Sequence, residues 1–201
     1  YSGTNAHLVI EEYPAPVARQ RVAPAQAPNL FVLSARTPEQ LIAYATRMQD
    51  WIASQADVDL TDMLYTLQVG REAMDYRLAF PADTRQAVVT HLTEFLDNKP
   101  ASVFTGHVKT QHDNIALFEA DADAKALLHT WVSNRKLRKV AELWVQGLAL
   151  DWDMFYSDSK PRRIGLPTYP FARKRYWIPT PTPRAAATPG LALGGRCARP
   201  G

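Results

Sequence analysis

His107 and His112 stand five residues apart with Asp113 beside the second, a set of donors that invites a metal ion. The spacing does not suit one: a helical zinc pair needs histidines four apart on one face, and the sequence places no third ligand. Asp151 and Asp153 could imitate a general acid–base pair, but two carboxylates in a turn after a helix are expected to stay solvated. Ser34 and Ser102 lie in no hydrolase context, and G-x-S-x-G occurs nowhere in the chain. The single cysteine, Cys197, excludes a disulfide framework and a cysteine-based zinc site. It lies in a low-complexity tail with no histidine near it in sequence to draw off its proton. His7, on residue type alone, reads as an ordinary surface or core histidine. Of the five tryptophans, Trp51, Trp131 and Trp144 fall on apolar helical faces and read as core rather than as a ligand box.

The elements that must carry these side chains follow from composition and periodicity. At 201 residues with 46% hydrophobic and 21% charged, the chain can bury a core of one or two domains. No apolar run reaches the roughly 18 to 20 residues that cross a bilayer. Residues 1–12 read as a turn entering a short buried strand at Leu8-Val9-Ile10, and 13–28, with four prolines, as an extended linker. Leu30 to Leu33 is a strand candidate. Thr37, Pro38 and Gln40 then form the start of a helix, with a capping box between Thr37 and Gln40. Leu41, Tyr44, Ala45, Met48, Trp51 and Ile52 follow at helical spacing, predicting a helix over 38–55. A second helix carries Leu60, Met63, Leu64 and Leu67 and stops at Gly70. Tyr76, Leu78 and Phe80 alternate as a strand. Val88, Leu92, Phe95 and Leu96 mark a third helix, and Val103 to Val108 a third strand. From Asp121 the pattern is helical to Gly147, with a break predicted at Ser133-Asn134. The order β-α-α-β-α-β describes a small α/β (α+β) unit, a three-stranded sheet packed with helices.

Net charge is +3, but its placement argues against nucleic acid. Nine basic and no acidic residues fall between Lys160 and Gly201, leaving 14 basic against 20 acidic, a net of −6, in residues 1–159. A basic tail on an acidic body can hold phosphate and can equally dock on an acidic protein surface, and no reader motif for nucleic acid accompanies it. Residues 161–183 hold six prolines and the aromatics Tyr169, Phe171, Tyr176 and Trp177, so this segment is extended. Its rings must be covered or they leave a sticky patch. Tyr169, Pro170, Phe171, Tyr176 and Trp177 are expected to insert into grooves, with Arg173 and Arg175 paired to acidic surface and Trp152 helping to pack the segment. Residues 179–201 are expected to be disordered.

Four stretches, in order along the chain, carry a family resemblance. Tyr1-Ser2-Gly3-Thr4-Asn5-Ala6-His7-Leu8-Val9-Ile10-Glu11-Glu12 resembles the last active-site strand of a polyketide synthase ketosynthase. Tyr65 to Met74 (YTLQVGREAM) and Leu143 to Trp152 (LWVQGLALDW) are similar to that family's flanking region. Arg163 to Trp177 (RIGLPTYPFARKRYW) resembles the linker that wraps back over the ketosynthase.

The resemblance implies five regions: 1–12 a thiolase-like ketosynthase strand, 13–28 a proline-rich linker, 29–160 a flanking α/β domain, 161–178 a wrap-back linker and 179–201 a tail. It implies that His7 is the second ketosynthase histidine, supported by Asn5, placed to stabilise the enolate left when a malonyl thioester loses carbon dioxide. The nucleophilic cysteine of that family is not among these residues, so the chain alone is expected to be inactive and to be a piece of a longer protein. Only about 50 residues separate Val108 from Pro161, short of the ~100–200 of a domain, so the implied synthase is of the trans-acyltransferase type. Implied partners are the upstream ketosynthase portion, an acyl carrier protein with its phosphopantetheine-bound acyl groups, a trans-acting acyltransferase and a second copy of the parent. No cofactor, metal, nucleic acid or membrane is expected, and the location is expected to be cytoplasmic. The competing reading is a stand-alone docking module with no catalytic contribution.

Overall fold

A computed structural model describes residues 7–11, 29–55, 57–99, 101–108, 122–156 and 160–172. Three strands, β1 (Leu30–Ala35), β2 (Tyr76–Pro81) and β3 (Phe104–His107), form one sheet in the order β1-β2-β3. Both pairings are antiparallel. The helices are α1 (Pro38–Ser54), α2 (Leu60–Val69), α3 (Arg85–Leu96), α4 (Ala122–Ser133) and α5 (Leu137–Gln146), followed by a 3₁₀ turn at Trp152–Phe155.

Each element forms for a local reason that packing then confirms. All six residues of β1 are buried, because α1 and α2 pack on this strand while β2 pairs with it. A strand covered on both faces reads as a continuous apolar run and not as an alternation. Phe31 pairs with Phe80 in the β1–β2 register, and their rings stack at 4.7 Å with planes 8° apart. α1 starts at Thr37, whose hydroxyl accepts from the Gln40 amide at 3.3 Å. α2 starts at Asp59, whose carboxylate accepts from the amides of Thr61 and Asp62. α5 crosses β2 and β3 and ends at Gly147, whose φ of 125° lies where glycine is favoured. The predicted break falls between α4 and α5, where Arg135 takes a φ of 54°.

The close crossing of α5 over the sheet depends on Gly106. A Cβ there would lie 2.2 Å from the carbonyl oxygen of Val145. Gly106→Ala is expected to destabilise the unit by about 1–3 kcal/mol as helix and strand are forced apart. Urea unfolding of the variant measures this, and an unchanged midpoint would mean that the crossing yields freely.

Three expectations need correction. Residues 7–11 form no strand, and Leu8, Val9 and Ile10 are 79%, 79% and 84% exposed. An isolated apolar triplet pairs no backbone groups of its own, and it joins neither edge of the described sheet. Trp51 and Trp131 are only partly buried against the core, whereas Trp144 and Trp152 are inside it. The capping box at α1 is half made: the Gln40 side chain does not return to Thr37 but bonds Tyr169 and Pro170, some 130 residues along the chain.

Candidate functional site

Residues 160–171 form an extended strap over α1 and α2. Its attachment follows from a match of two repeats. Two residues of extended chain advance about 6.6 Å, and four residues of helix about 6 Å. The Arg162 amide donates to the Asp62 carboxylate at 2.8 Å, and the Ile164 amide donates to Thr66 Oγ1 at 3.0 Å. Alternate strap amides therefore meet acceptors one turn apart on α2. Thr66 in turn donates its hydroxyl proton to the Asp62 carbonyl at 2.7 Å. With the strap on one side and β1 on the other, α2 is buried at every residue from Asp62 to Gln68.

Further along, the strap's carbonyls are held. The Tyr44 hydroxyl donates to Pro167 O at 3.3 Å, and Arg71 joins the pair by donating to Tyr44 Oη at 3.0 Å and to Pro167 O at 3.4 Å. Tyr169 makes the final latch. Its hydroxyl accepts from the Arg36 amide at 2.9 Å and donates to Gln40 Oε1 at 2.7 Å, and Gln40 Nε2 donates to Pro170 O at 3.4 Å. Gln40 thus serves the strap in place of the capping box, because the strap carbonyl and phenol compete successfully for its amide. Beneath the latch lies a small cavity of about 70 Å³, lined in part by Ser34, Gln68, Met74, Trp144 and Trp152. Ser34 is committed there: its hydroxyl donates to Glu72 O and accepts from the Met74 amide.

The other strap end is polar. Asp153 accepts from Lys160 at 3.1 Å and from the Tyr65 hydroxyl at 3.2 Å, so it is engaged and not merely solvated. The Lys160 hydrogen bond is the main cause holding the Asp153 carboxyl below its ordinary 3.8. A depressed carboxylate contributes stability above its unfolded value and loses it as pH falls through the folded one. The protection of the Arg162 and Ile164 amides, measured against the intrinsic exchange rate at each pH, is therefore expected to fall below about pH 4 in the unsubstituted chain. Asp153→Asn should remove that dependence; an identical acid profile in both would assign it elsewhere. Inside, Tyr156 donates to Gln68 Oε1 while Gln68 Nε2 donates to Leu30 O at 2.8 Å. Burial pushes the Tyr156 phenol up, so it stays a neutral donor.

Of the aromatic residues assigned to this segment from sequence, the structure divides roles. Tyr169 packs edge-on to Tyr44 at 6.0 Å, and Pro170 is buried. Phe171 touches the Tyr169 ring at 5.0 Å yet is 77% exposed, so it does not insert into this unit. Trp152 lies in the core against Trp144 and Phe155 and presents no docking surface. Arg173, Arg175, Tyr176 and Trp177 lie outside the described residues, as do Asn5, His112, Asp113, Cys197, the linker 13–28 and the tail 179–201. Tyr169→Ala is expected to open the strap to proteolysis after Pro161, while Phe171→Ala leaves it protected. Equal protection in both variants would show that the latch holds nothing.

Residues 32–99 match the family described as the RhiE-like, KS-MAT linker domain. The chain is 54% identical over 181 residues to polyketide synthase PksL of Bacillus subtilis strain 168, covering 90% of this chain and 4% of that protein. A solved ketosynthase from module 6 of the bacillaene synthase of Bacillus subtilis 168 is 56% identical, with a TM-score of 0.71 over 75% of this chain and 27% of its own. The chain belongs to this ketosynthase-linker family of polyketide synthases. A second solved ketosynthase, from module 1 of the bacillaene synthase of Bacillus amyloliquefaciens FZB42, is 36% identical with a TM-score of 0.68 over 77% of this chain and 27% of its own. The linker region is part of a polyketide synthase module, and the chain spans a small fraction of the relatives it matches. Ahead of the linker unit, His7 is exposed. Gln40, Asp62, Thr66 and Arg71 carry the strap, and sequence reading missed them because helical polar residues look alike until the segment they meet is in place.

Proposed function

We propose that this chain completes and flanks a β-ketoacyl synthase that performs decarboxylative Claisen condensation. In that reaction a malonyl thioester on a carrier protein's phosphopantetheine arm loses carbon dioxide. The resulting enolate carbon attacks the carbonyl of an acyl-cysteine, and the cysteine thiolate leaves. His7 is assigned the donor to the enolate oxygen, with Asn5 supporting it. The observation that carries this reading is the run Leu8-Val9-Ile10. It is 79–84% exposed here, and such an apolar run beside a histidine calls for a partner sheet, which the upstream ketosynthase portion would supply. Phe171, at the far end of the strap, is a second contact of the same kind.

The parent is proposed to be of the trans-acyltransferase type. In support, only about 50 residues separate Val108 from Pro161, and those described there include α4, α5 and the 3₁₀ turn, with α5 packed on β2 and β3. The linker unit would space the ketosynthase from its downstream neighbour in the module and offer a surface to a separate acyltransferase. A homodimeric, cytoplasmic parent fits this role; among the described residues no helix is long and apolar enough to cross a membrane.

The test combines this chain with a separately expressed upstream ketosynthase portion, reading binding by calorimetry and condensation by mass spectrometry. Binding with activity that is lost in His7→Ala supports the proposal. Binding without activity leaves a scaffold, and no binding by a well-folded chain favours the docking module with no catalytic contribution.

A further inference from the structure

We infer that the start of α5 and the cleft beside it form a docking surface for the acidic face of a helical partner polypeptide. Arg135, Lys136, Arg138 and Lys139 put four cations in five positions. They stand on a body, residues 1–159, whose net charge is −6. The placement is unfavourable for the helix itself. A helix N-terminus favours acidic side chains, yet the first turn of α5 has none, and Lys136 at the cap makes no side-chain cap bond. Helix stability therefore gives no reason for this charge.

The cations are also held in place. Arg138 lies over the Phe104 ring at 5.0 Å and Lys139 over the Trp131 ring at 5.2 Å. An aromatic face orients a cation without neutralising it, as a carboxylate would. Arg135 differs: its Nη2 is paired with the Asp83 carboxylate at 2.6 Å, and it can meet a partner only through its other donors, its side chain being 53% exposed. Its backbone is fixed by the bonds Arg135 N to Val132 O at 2.9 Å and Lys136 N to Trp131 O at 2.7 Å. Between Arg135 and Arg138 opens a cleft of about 250 Å³, walled by Pro81, His91, Ser102 and Leu137. Groups fixed before binding lose little freedom on binding.

The arrangement favours a row of separate carboxylates over one compact anion. Arg138 leans toward β3 and Lys139 toward α4, so the charge is spread across the surface. An acidic helix presents carboxylates at three- and four-residue spacing, each able to take one guanidinium fork. The inference is independent of the role proposed for His7.

The test uses the whole chain and a helical peptide of about 16 residues with glutamates four apart, beside its glutamine counterpart, followed by fluorescence anisotropy at low and high salt. The glutamate peptide is expected to bind, and added salt to weaken it. Arg135→Glu with Arg138→Glu should weaken binding by about tenfold or more. Arg47→Glu with Lys99→Glu, the same change in net charge, should alter it by less than about twofold. Arg135→Gln with Arg138→Gln repeats the test without a new repulsion against Asp83, and circular dichroism checks that each variant is folded. Equal losses in both charge-reversed pairs, equal binding of the glutamine peptide, or full displacement by millimolar inorganic phosphate would each overturn the inference.

Discussion

Phe80→Ala is expected to cost about 3–5 kcal/mol of unfolding free energy, enough to leave the unit largely unfolded under mild denaturant. The side chain is fully buried, stacked on Phe31 at 4.7 Å, and on its other side meets the His91 ring at 5.0 Å. Removing it opens a void between two strands whose other core residues, Leu30, Leu78 and Ala79, are also at 0% exposure and have little room to close it. Phe31→Ala should cost a similar amount. The two losses should not add, because the first already forfeits the ring–ring contact, worth about 0.5–1.5 kcal/mol beyond burial. Urea unfolding of both single variants and the double variant measures this cycle. A loss below about 1 kcal/mol in Phe80→Ala would mean that the core repacks.

Arg77→Met is expected to cost about 3 kcal/mol, although it exchanges a charged residue for an apolar one of similar length in a nearly dry site. Arg77 is 7% exposed and donates to Met74 O at 3.0 Å, Trp144 O at 2.7 Å and Leu148 O at 3.2 Å. Its guanidinium also lies over the Trp144 ring at 4.9 Å. The Trp144 and Leu148 carbonyls flank the C-terminal end of α5, where the helix dipole favours a cation. Methionine would leave the three carbonyls, at two buried contacts and one half-buried, without this donor. Arg77→Lys should recover part of the loss, since an ammonium keeps the charge but cannot span three carbonyls with a planar fork. Thermal or urea unfolding of the pair decides it. If both variants lose the same amount, charge is irrelevant and the fork alone matters; if neither loses stability, the guanidinium does not hold the end of α5 to the sheet.

The two residues also mark a boundary in what can be read before folding. Phe80 and Arg77 sit on one strand whose alternation is plain in the sequence, and the apolar member can be assigned to the core at once. Arg77 cannot, because the alternation reads as polar and outward-facing. It is inside because α5, some sixty residues later, brings its terminal carbonyls to that face. The same holds for Gln40, which matches a local capping pattern and instead bonds Tyr169 and Pro170.

By itself the sequence determined the element order, the three strands and their helices, the cap at Thr37, the break before α5 and the extended nature of the strap. All of these depend on periodicity, proline and short-range capping, which act within a few residues. It also carried the family, through four short stretches in order. Only the tertiary structure decided which polar side chains are structural. Asp62 and Thr66 became acceptors because a two-residue extended repeat happens to match one turn of α2. Phe171, another aromatic residue of the same segment, stays 77% exposed, whereas Tyr169 is held through its hydroxyl by the Arg36 amide and Gln40. Leu8, Val9 and Ile10, apolar enough to be read as a buried strand, are exposed. Apolarity states only that a segment needs cover, and the position of a sheet edge decides whether it finds any.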